Sequence, residues 1–164
     1  MKTRLRMTQS MFAKMAADLR RPHEFAVERV GFLFCKQSST PSGALLLAFK
    51  YAPIRDEQYI RDESVGARFD SSSIREAMQT ALSDGVSTFH VHLHDHPGTP
   101  RFSGTDVREM QALMPCFVNV CPNRVHGALV LSSDSATANG WSTGQPHGER
   151  VRVTVVGSPL RIFG

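Results

Sequence analysis

The sequence has no long apolar run, few cysteines and little clustering of basic residues. No stretch approaches the roughly 20 apolar residues of a membrane-spanning helix, so we expect no membrane partner. The residues that follow Lys2, Arg4 and Arg6 are polar and amphipathic, which argues against a secretory signal peptide. Three cysteines are an odd number in a chain large enough to fold without disulfides, which favours reduced thiols and a cytoplasmic location.

The charge pattern gives little support to a nucleic-acid interface. Nineteen Lys and Arg against fifteen Asp and Glu give a net charge of +4, but the basic residues are dispersed apart from four arginines near the start. Nucleic-acid binding needs a clustered basic face, so we expect no nucleic-acid partner. Repeats and low-complexity segments are also missing, and residues 1–164 are predicted to form a single domain, with flexibility in the first eight or so and the last few residues.

The apolar residues predict an alternation of helices and strands. Helical periodicity and capping patterns predict three helices, at residues 10–20, from Ser73 to Asp84, and from Ser103 to Pro115. Apolar runs between turn residues predict strands at residues 26–35, 44–49, 86–94, 117–120, 128–131, 138–141 and 151–156. This order predicts an α/β protein of the α+β type, with a mixed curved β-sheet flanked by helices.

Four histidines at alternate positions are the most informative feature that is present. His90, His92, His94 and His96 fall on and just after a predicted strand, where side chains two apart point to the same face. Asp106 follows in the first turn of the next predicted helix, three residues after its predicted cap, Ser103. Two imidazoles and one carboxylate are a typical protein ligand set for catalytic zinc, which leaves one position for water. The pattern therefore predicts a Zn²⁺ site.

A hydrolytic zinc site also needs a group that accepts the proton of the attacking water. Zinc lowers the pKa of a water molecule to about 7, but a base must still pass a proton to the leaving amine. Glu28 is the leading candidate because it lies in an otherwise apolar predicted strand, where a carboxylate is unusual. The alternatives are Glu24, just upstream, and an ordinary exposed position for Glu28.

These residues resemble the JAMM/MPN (JAB-domain) zinc metalloprotease family. The resemblance consists of Glu-x-Val-Gly-Phe-Leu on an early strand, His-x-His-Pro-Gly at the end of a later strand, and Ser-x-x-Asp at a helix start, within residues 24–131. It implies a single JAB/MPN-like domain in which Glu28 is the acid and base, Ser103 stabilises the tetrahedral intermediate and Asp106 is a zinc ligand.

The spacing leaves two choices for the histidine ligands. Six residues separate His96 from Ser103 and eight separate His94 from Ser103, and the usual family spacing lies between these values. We favour His94 and His96 with Asp106, since this pair keeps His-x-His-Pro-Gly. The alternative is His92 with His94, so His94 is a ligand in both.

By this resemblance, the chain is a metallopeptidase of the deubiquitinase-like type. It would cleave isopeptide or peptide bonds after the C-terminal tail of a ubiquitin-like protein, to remove it from conjugates or to mature its precursor. The compact chain resembles stand-alone bacterial members, some of which are encoded with activating and conjugating (E1/E2-like) enzymes, sometimes in antiviral defence. The resemblance therefore also implies E1/E2-like enzymes as candidate partners.

Two other functions are compatible with the sequence. One is an inactive MPN-type scaffold that binds proteins, although such members are expected to have lost a ligand that this chain keeps. The other is a histidine-rich metal-binding protein, which would need neither Glu28 nor Ser103. A second zinc group made of Cys116, Cys121 and His126 is disfavoured, because the spacing is not that of a zinc site.

Overall fold

The structure is a computed structural model that describes residues 2–164. Three α-helices are formed within this range: α1 (Gln9–Leu19), α2 (Ser71–Asp84) and α3 (Gly104–Val120). Eight β-strands accompany them: β1 (Arg4–Thr8), β2 (Val30–Thr40), β3 (Gly43–Pro53), β4 (Ser87–Leu93), β5 (His126–Leu131), β6 (Ala136–Ser142), β7 (Gln145–Val156) and β8 (Arg161–Phe163). A short 3₁₀ helix lies at Asp56–Gln58.

Seven of these strands close into a barrel. Their order is β1, β3, β2, β4, β5, β6, β7, and β1 pairs in parallel with β7 as well as with β3, while β8 pairs with β7 alone. The prediction of a curved α/β sheet flanked by helices is therefore wrong: the sheet is closed, and strands make up 39% of the described residues against 28% for helices. The difference arises at residues 4–8, where flexibility was expected, because these residues form the strand that closes the ring.

The barrel interior is the larger of two apolar cores. All seven strands of the ring contribute alternate side chains to one buried cluster, and α1 adds Phe12, Met15 and Leu19 to it. A second cluster lies on the outer face of the sheet, where β2 packs against α2 and α3. Because alternate side chains of a strand point to opposite faces, β2 and β4 supply residues to the barrel interior and to the side of α2 and α3.

The helices begin at capping residues, only some of which the sequence identified. The side chain of Ser103 accepts from the backbone N–H of Asp106, so the predicted start of α3 is confirmed. The side chain of Asp70 caps α2, three residues before the predicted cap, and Gly85 ends it in the left-handed conformation at φ 59°. None of the helices within residues 2–164 is both long and apolar enough to cross a membrane.

The third helix continues past Pro115 to Val120, so the predicted strand at residues 117–120 is wrong. Met110, Met114 and Phe117 recur at helical spacing and are all buried in the outer cluster. The burial of Phe117 beside the two methionines outweighs the helix hydrogen bond that the proline cannot donate.

Candidate metal site and its cavity

The potential metal ligands come from β4, the turn after it and the start of α3. Along β4, Phe89, Val91 and Leu93 face the barrel interior, so His90 and His92 face the opposite side, as strand alternation predicts. His94 follows the last residue of β4, and its N–H donates to the carbonyl of Leu131, which prolongs the pairing with β5.

His92, His94 and Asp106 form the only group of potential metal ligands found in the described part of the chain, and their ligand atoms lie within 4.8 Å of one another. The Nε2 atom of His92 is 3.4 Å from Oδ1 of Asp106, and Nε2 of His94 is 3.7 Å from Oδ2. This group could hold a metal ion. The structure thus brings His94 and Asp106 together, and the second histidine beside them is His92, that of the alternative register.

His96, the favoured second ligand, lies outside this group. Its N–H donates to the carbonyl of His94 in a tight turn, which ends the strand alternation between the two residues. The exposed ring has Nδ1 2.8 Å from the carbonyl oxygen of Pro97, and its centroid is 6.3 Å from that of His94. This backbone turn, which the motif spacing does not encode, keeps the ring of His96 away from His94 and Asp106.

The surroundings of the His92 ring fit the role of a metal ligand. Its side chain is only 2% exposed, and neither ring nitrogen has a hydrogen-bond partner among the described residues. At 3.4 Å the carboxylate of Asp106 is too distant for an ordinary N–H···O hydrogen bond. A buried polar atom without a partner costs about 1–3 kcal/mol, and metal ligation would remove this cost.

Asp106 is fixed by the helix that it begins. Its Oδ2 accepts from the backbone N–H of Ser103 at 2.6 Å, and its own N–H donates to Oγ of Ser103 at 3.1 Å. Burial alone would raise the pKa of Asp106, but His92 and these hydrogen bonds with Ser103 hold the pKa well below its usual range. The carboxylate therefore stays ionised, as a metal ligand must.

The group lies in a cavity of about 400 Å³. The predicted catalytic residues Glu28 and Ser103 also line this cavity. Strand β2 begins at Val30, so Glu28 lies in the irregular segment before the strand, and the predicted strand at residues 26–35 starts too early. The structure thus places Glu28, Ser103, His92, His94 and Asp106 around one cavity; Glu24, the rival of Glu28, is not among the lining residues.

Two tethers hold the segment that carries Glu28. The backbone N–H groups of Val27 and Glu28 both donate to the carbonyl of Gly66. A Cβ atom on Gly66 would lie 3.0 Å from Cδ and Oε2 of Glu28, so the carboxylate packs directly on the glycine.

The second tether is the buried guanidinium of Arg29. It donates to the carbonyls of Arg21 and Pro22 and, at 2.6 Å, to Asp56. These contacts fix the residue next to Glu28 and so limit where its side chain can move.

Sequence reasoning missed two carboxylates in the cavity, Glu63 and Glu109. Glu109 lies three residues after Asp106 on α3, a spacing that places both on one helix face and could have identified it. Burial, together with the negative charges of Asp106 and Glu28, raises the pKa of Glu109. Glu63 lies in a segment whose sequence has no clear period, and no pattern identified it.

The other buried histidines have structural surroundings. His90 packs between the rings of Phe32 and Phe69, and burial lowers its pKa to about 3. His126 is bonded to backbone groups through both ring nitrogens, and one of these bonds is to the carbonyl of Cys121. A zinc group made of Cys116, Cys121 and His126 is not formed among the described residues.

Neither a scan against protein-family models nor a search of curated proteins gives a match to this chain. The family resemblance therefore rests on the motif residues quoted above.

Proposed function

We propose that this chain is a zinc-dependent isopeptidase or peptidase that cleaves after the C-terminal tail of a ubiquitin-like protein. The observation that carries the proposal is the convergence of His92, His94 and Asp106 in one cavity with Glu28 and Ser103. Two imidazoles and one carboxylate are a ligand set of hydrolytic zinc sites, and the unpartnered ring of His92 fits it. When bound, zinc supplies Lewis acidity and brings the pKa of a water molecule to about 7.

Glu28 would serve as the acid and base of this reaction. Its carboxylate borders the cavity and is held by the contacts of residues 27 and 28 with Gly66. It would accept the proton of the attacking water and donate it to the amine nitrogen that leaves, as a positioned carboxylate can do.

Ser103 would stabilise the carbonyl oxygen as negative charge develops on it. The Ser103 hydroxyl accepts from the N–H of Asp106, so its own proton is not used by this cap. A hydroxyl that is held in place and free to donate is the kind of group that oxyanion stabilisation needs. The same residue can thus cap α3 and assist catalysis.

The substrate class comes from the motif resemblance. Glycine residues at the end of the tail of a ubiquitin-like protein carry no side chain that could clash with the walls of the cavity. The resemblance also points to a cytoplasmic bacterial enzyme that works beside E1/E2-like enzymes, in some cases in antiviral defence. A metal store would bind zinc without turnover, and an inactive scaffold would show no turnover even though this chain keeps the ligand set.

The test is hydrolysis of a ubiquitin-like protein fused through its glycine-ended tail to a reporter. Cleavage should be lost with a chelator and restored by zinc. Glu28→Gln should retain about one zinc per chain and lose cleavage, which separates an enzyme from a metal store. Failure of the zinc-loaded wild-type protein to cleave any fusion or isopeptide conjugate would contradict the proposal.

The two histidine registers are distinguished by a matched pair of variants. His92→Ala should lose both zinc and cleavage, whereas His96→Ala should keep both, because His96 lies outside the group. The reverse result would show that the ligands are His94 and His96. Metal content is measured by atomic emission on the purified variants.

A further inference from the structure

The cavity is acidic although the chain as a whole is basic. Four carboxylates line it, and no Lys or Arg occurs among its described lining residues, in a chain of net charge +4. The four are Glu28, Glu63, Asp106 and Glu109.

Two of these carboxylates have no task in the proposed reaction. Asp106 is held by Ser103 and faces the histidines, and Glu28 is the proposed acid and base. Zinc would bring two positive charges, which Asp106 and Glu28 together balance. Glu63 and Glu109 therefore remain as surplus negative charge, and neither forms an ion pair with any Lys, Arg or His in residues 2–164 at 4.0 Å or less.

The surplus charge belongs to a cavity that is built to take a ligand. His92 lines it with both ring nitrogens unpartnered at 2% exposure, which points to a ligand in this cavity without reference to Glu63 or Glu109. Glu109 projects from α3, and Glu63 lies in the segment that includes Gly66, so two different elements contribute the charge. A concave surface with charge of one sign raises the local concentration of the opposite charge.

We propose, resting on the proposed function, that Glu63 and Glu109 select substrates with a Lys or Arg side chain beside the scissile bond. In an isopeptide the linked lysine nitrogen is an uncharged amide, so the positive charge comes from a neighbouring residue of the target. An acidic neighbour is disfavoured because it would meet like charges.

The test compares three labelled isopeptides that differ only in the residues on either side of the linked lysine. These flanking residues are two lysines, two serines or two glutamates. Binding of N-methylated, uncleavable forms to the zinc-loaded protein is measured by fluorescence anisotropy. We expect the basic probe to bind about tenfold more tightly than the acidic probe at about 0.05 M salt, and this ratio to shrink at about 0.5 M.

Variants assign the preference to its residues. Glu63→Gln and Glu109→Gln should each lower the ratio roughly threefold, and the double variant should bring it close to one. Asp84→Asn removes the same charge from the exposed end of α2, outside the cavity, and should leave the ratio unchanged. Equal or undetectable binding of the three probes to the wild-type protein would overturn the proposal, as would a ratio that the double variant leaves unchanged.

Cleavage of the unmodified peptides separates the two proposals. A charge preference that the double variant removes, without cleavage of any peptide, would support the selectivity and refute the isopeptidase. Cleavage of all three peptides with equal kcat/KM and equal binding would support the isopeptidase and refute the selectivity.

Discussion

Protonation of His126 should weaken the packing between β4 and α3, the two elements that carry His92 and Asp106. The ring is fully buried; Nδ1 accepts from the N–H of Thr88 in β4, and Nε2 donates to the carbonyl of Cys121 at the end of α3. Only the neutral ring with its proton on Nε2 can make both bonds, since a proton on Nδ1 would face another donor. Burial accordingly lowers the pKa of His126 from 6.5 to about 4.

This shift sets the size and the pH range of the effect. Between about pH 6.5 and pH 4 the unfolded chain binds a proton at this site and the folded chain does not, so stability falls as the pH falls. The loss amounts to about 2 kcal/mol at pH 5 and about 3 kcal/mol at pH 4, relative to neutral pH. Above about pH 6.5 the unfolded chain also leaves His126 neutral, so the full contribution of this residue to folding stability is present.

The perturbation is His126→Asn, which retains an acceptor for the N–H of Thr88 but cannot be protonated in this range. At pH 7.5 it should cost about 2–4 kcal/mol, through the lost bond to Cys121 and the space left by the ring. The cost should shrink by about 3 kcal/mol by pH 4, because the wild-type protein alone loses the histidine contribution.

The assay is urea unfolding of both proteins at several pH values, in the presence of a chelator. The difference in unfolding free energy between them cancels the titration of all other groups that the two share. A difference that stays constant from pH 7.5 to pH 4 would refute the reasoning, since it would mean that the pKa of His126 is the same in the folded and unfolded chains.

Three further substitutions test how the cavity is held. Gly66→Ala should displace the carboxylate of Glu28 and lower kcat about tenfold with zinc content unchanged; loss of zinc would instead indicate wider disruption. Arg29→Met should lower the unfolding free energy by about 2 kcal/mol in urea titrations, because the carbonyls of Arg21 and Pro22 lose the buried guanidinium that donates to them; an unchanged midpoint would contradict this. Ser103→Ala should lower the unfolding free energy by about 1 kcal/mol, because α3 loses its N-cap, and should lower kcat at least tenfold while the zinc content stays unchanged. An unchanged kcat would leave Ser103 with the capping role alone.

The parts of the candidate site that the sequence predicted correctly are local. The helix start at Ser103 and the first-turn position of Asp106 follow from capping chemistry within four residues. The shared face of His90 and His92 follows from strand alternation. Each depends on neighbours in the chain, so the pattern alone was sufficient.

The parts that were wrong or open depend on distant contacts. Glu28 was assigned to a strand, but its backbone is tied to Gly66, and this pairing has no local pattern. Likewise Phe117 extends α3 past Pro115 because it packs against β2 and the barrel, which the proline rule cannot anticipate.

The sequence by itself identified the candidate ligands: histidines and an aspartate at metal-ligand spacing, with a serine that caps the helix of the aspartate. The tertiary structure decided which histidines lie beside Asp106 and how the sheet closes into a barrel. The turn at residues 94–96 rotates His96 away and leaves His92 beside Asp106, and β1 closes the barrel by pairing with β3 and β7. Residue types and short spacings specify donor atoms, whereas turns and strand pairings between distant residues fix their positions in space.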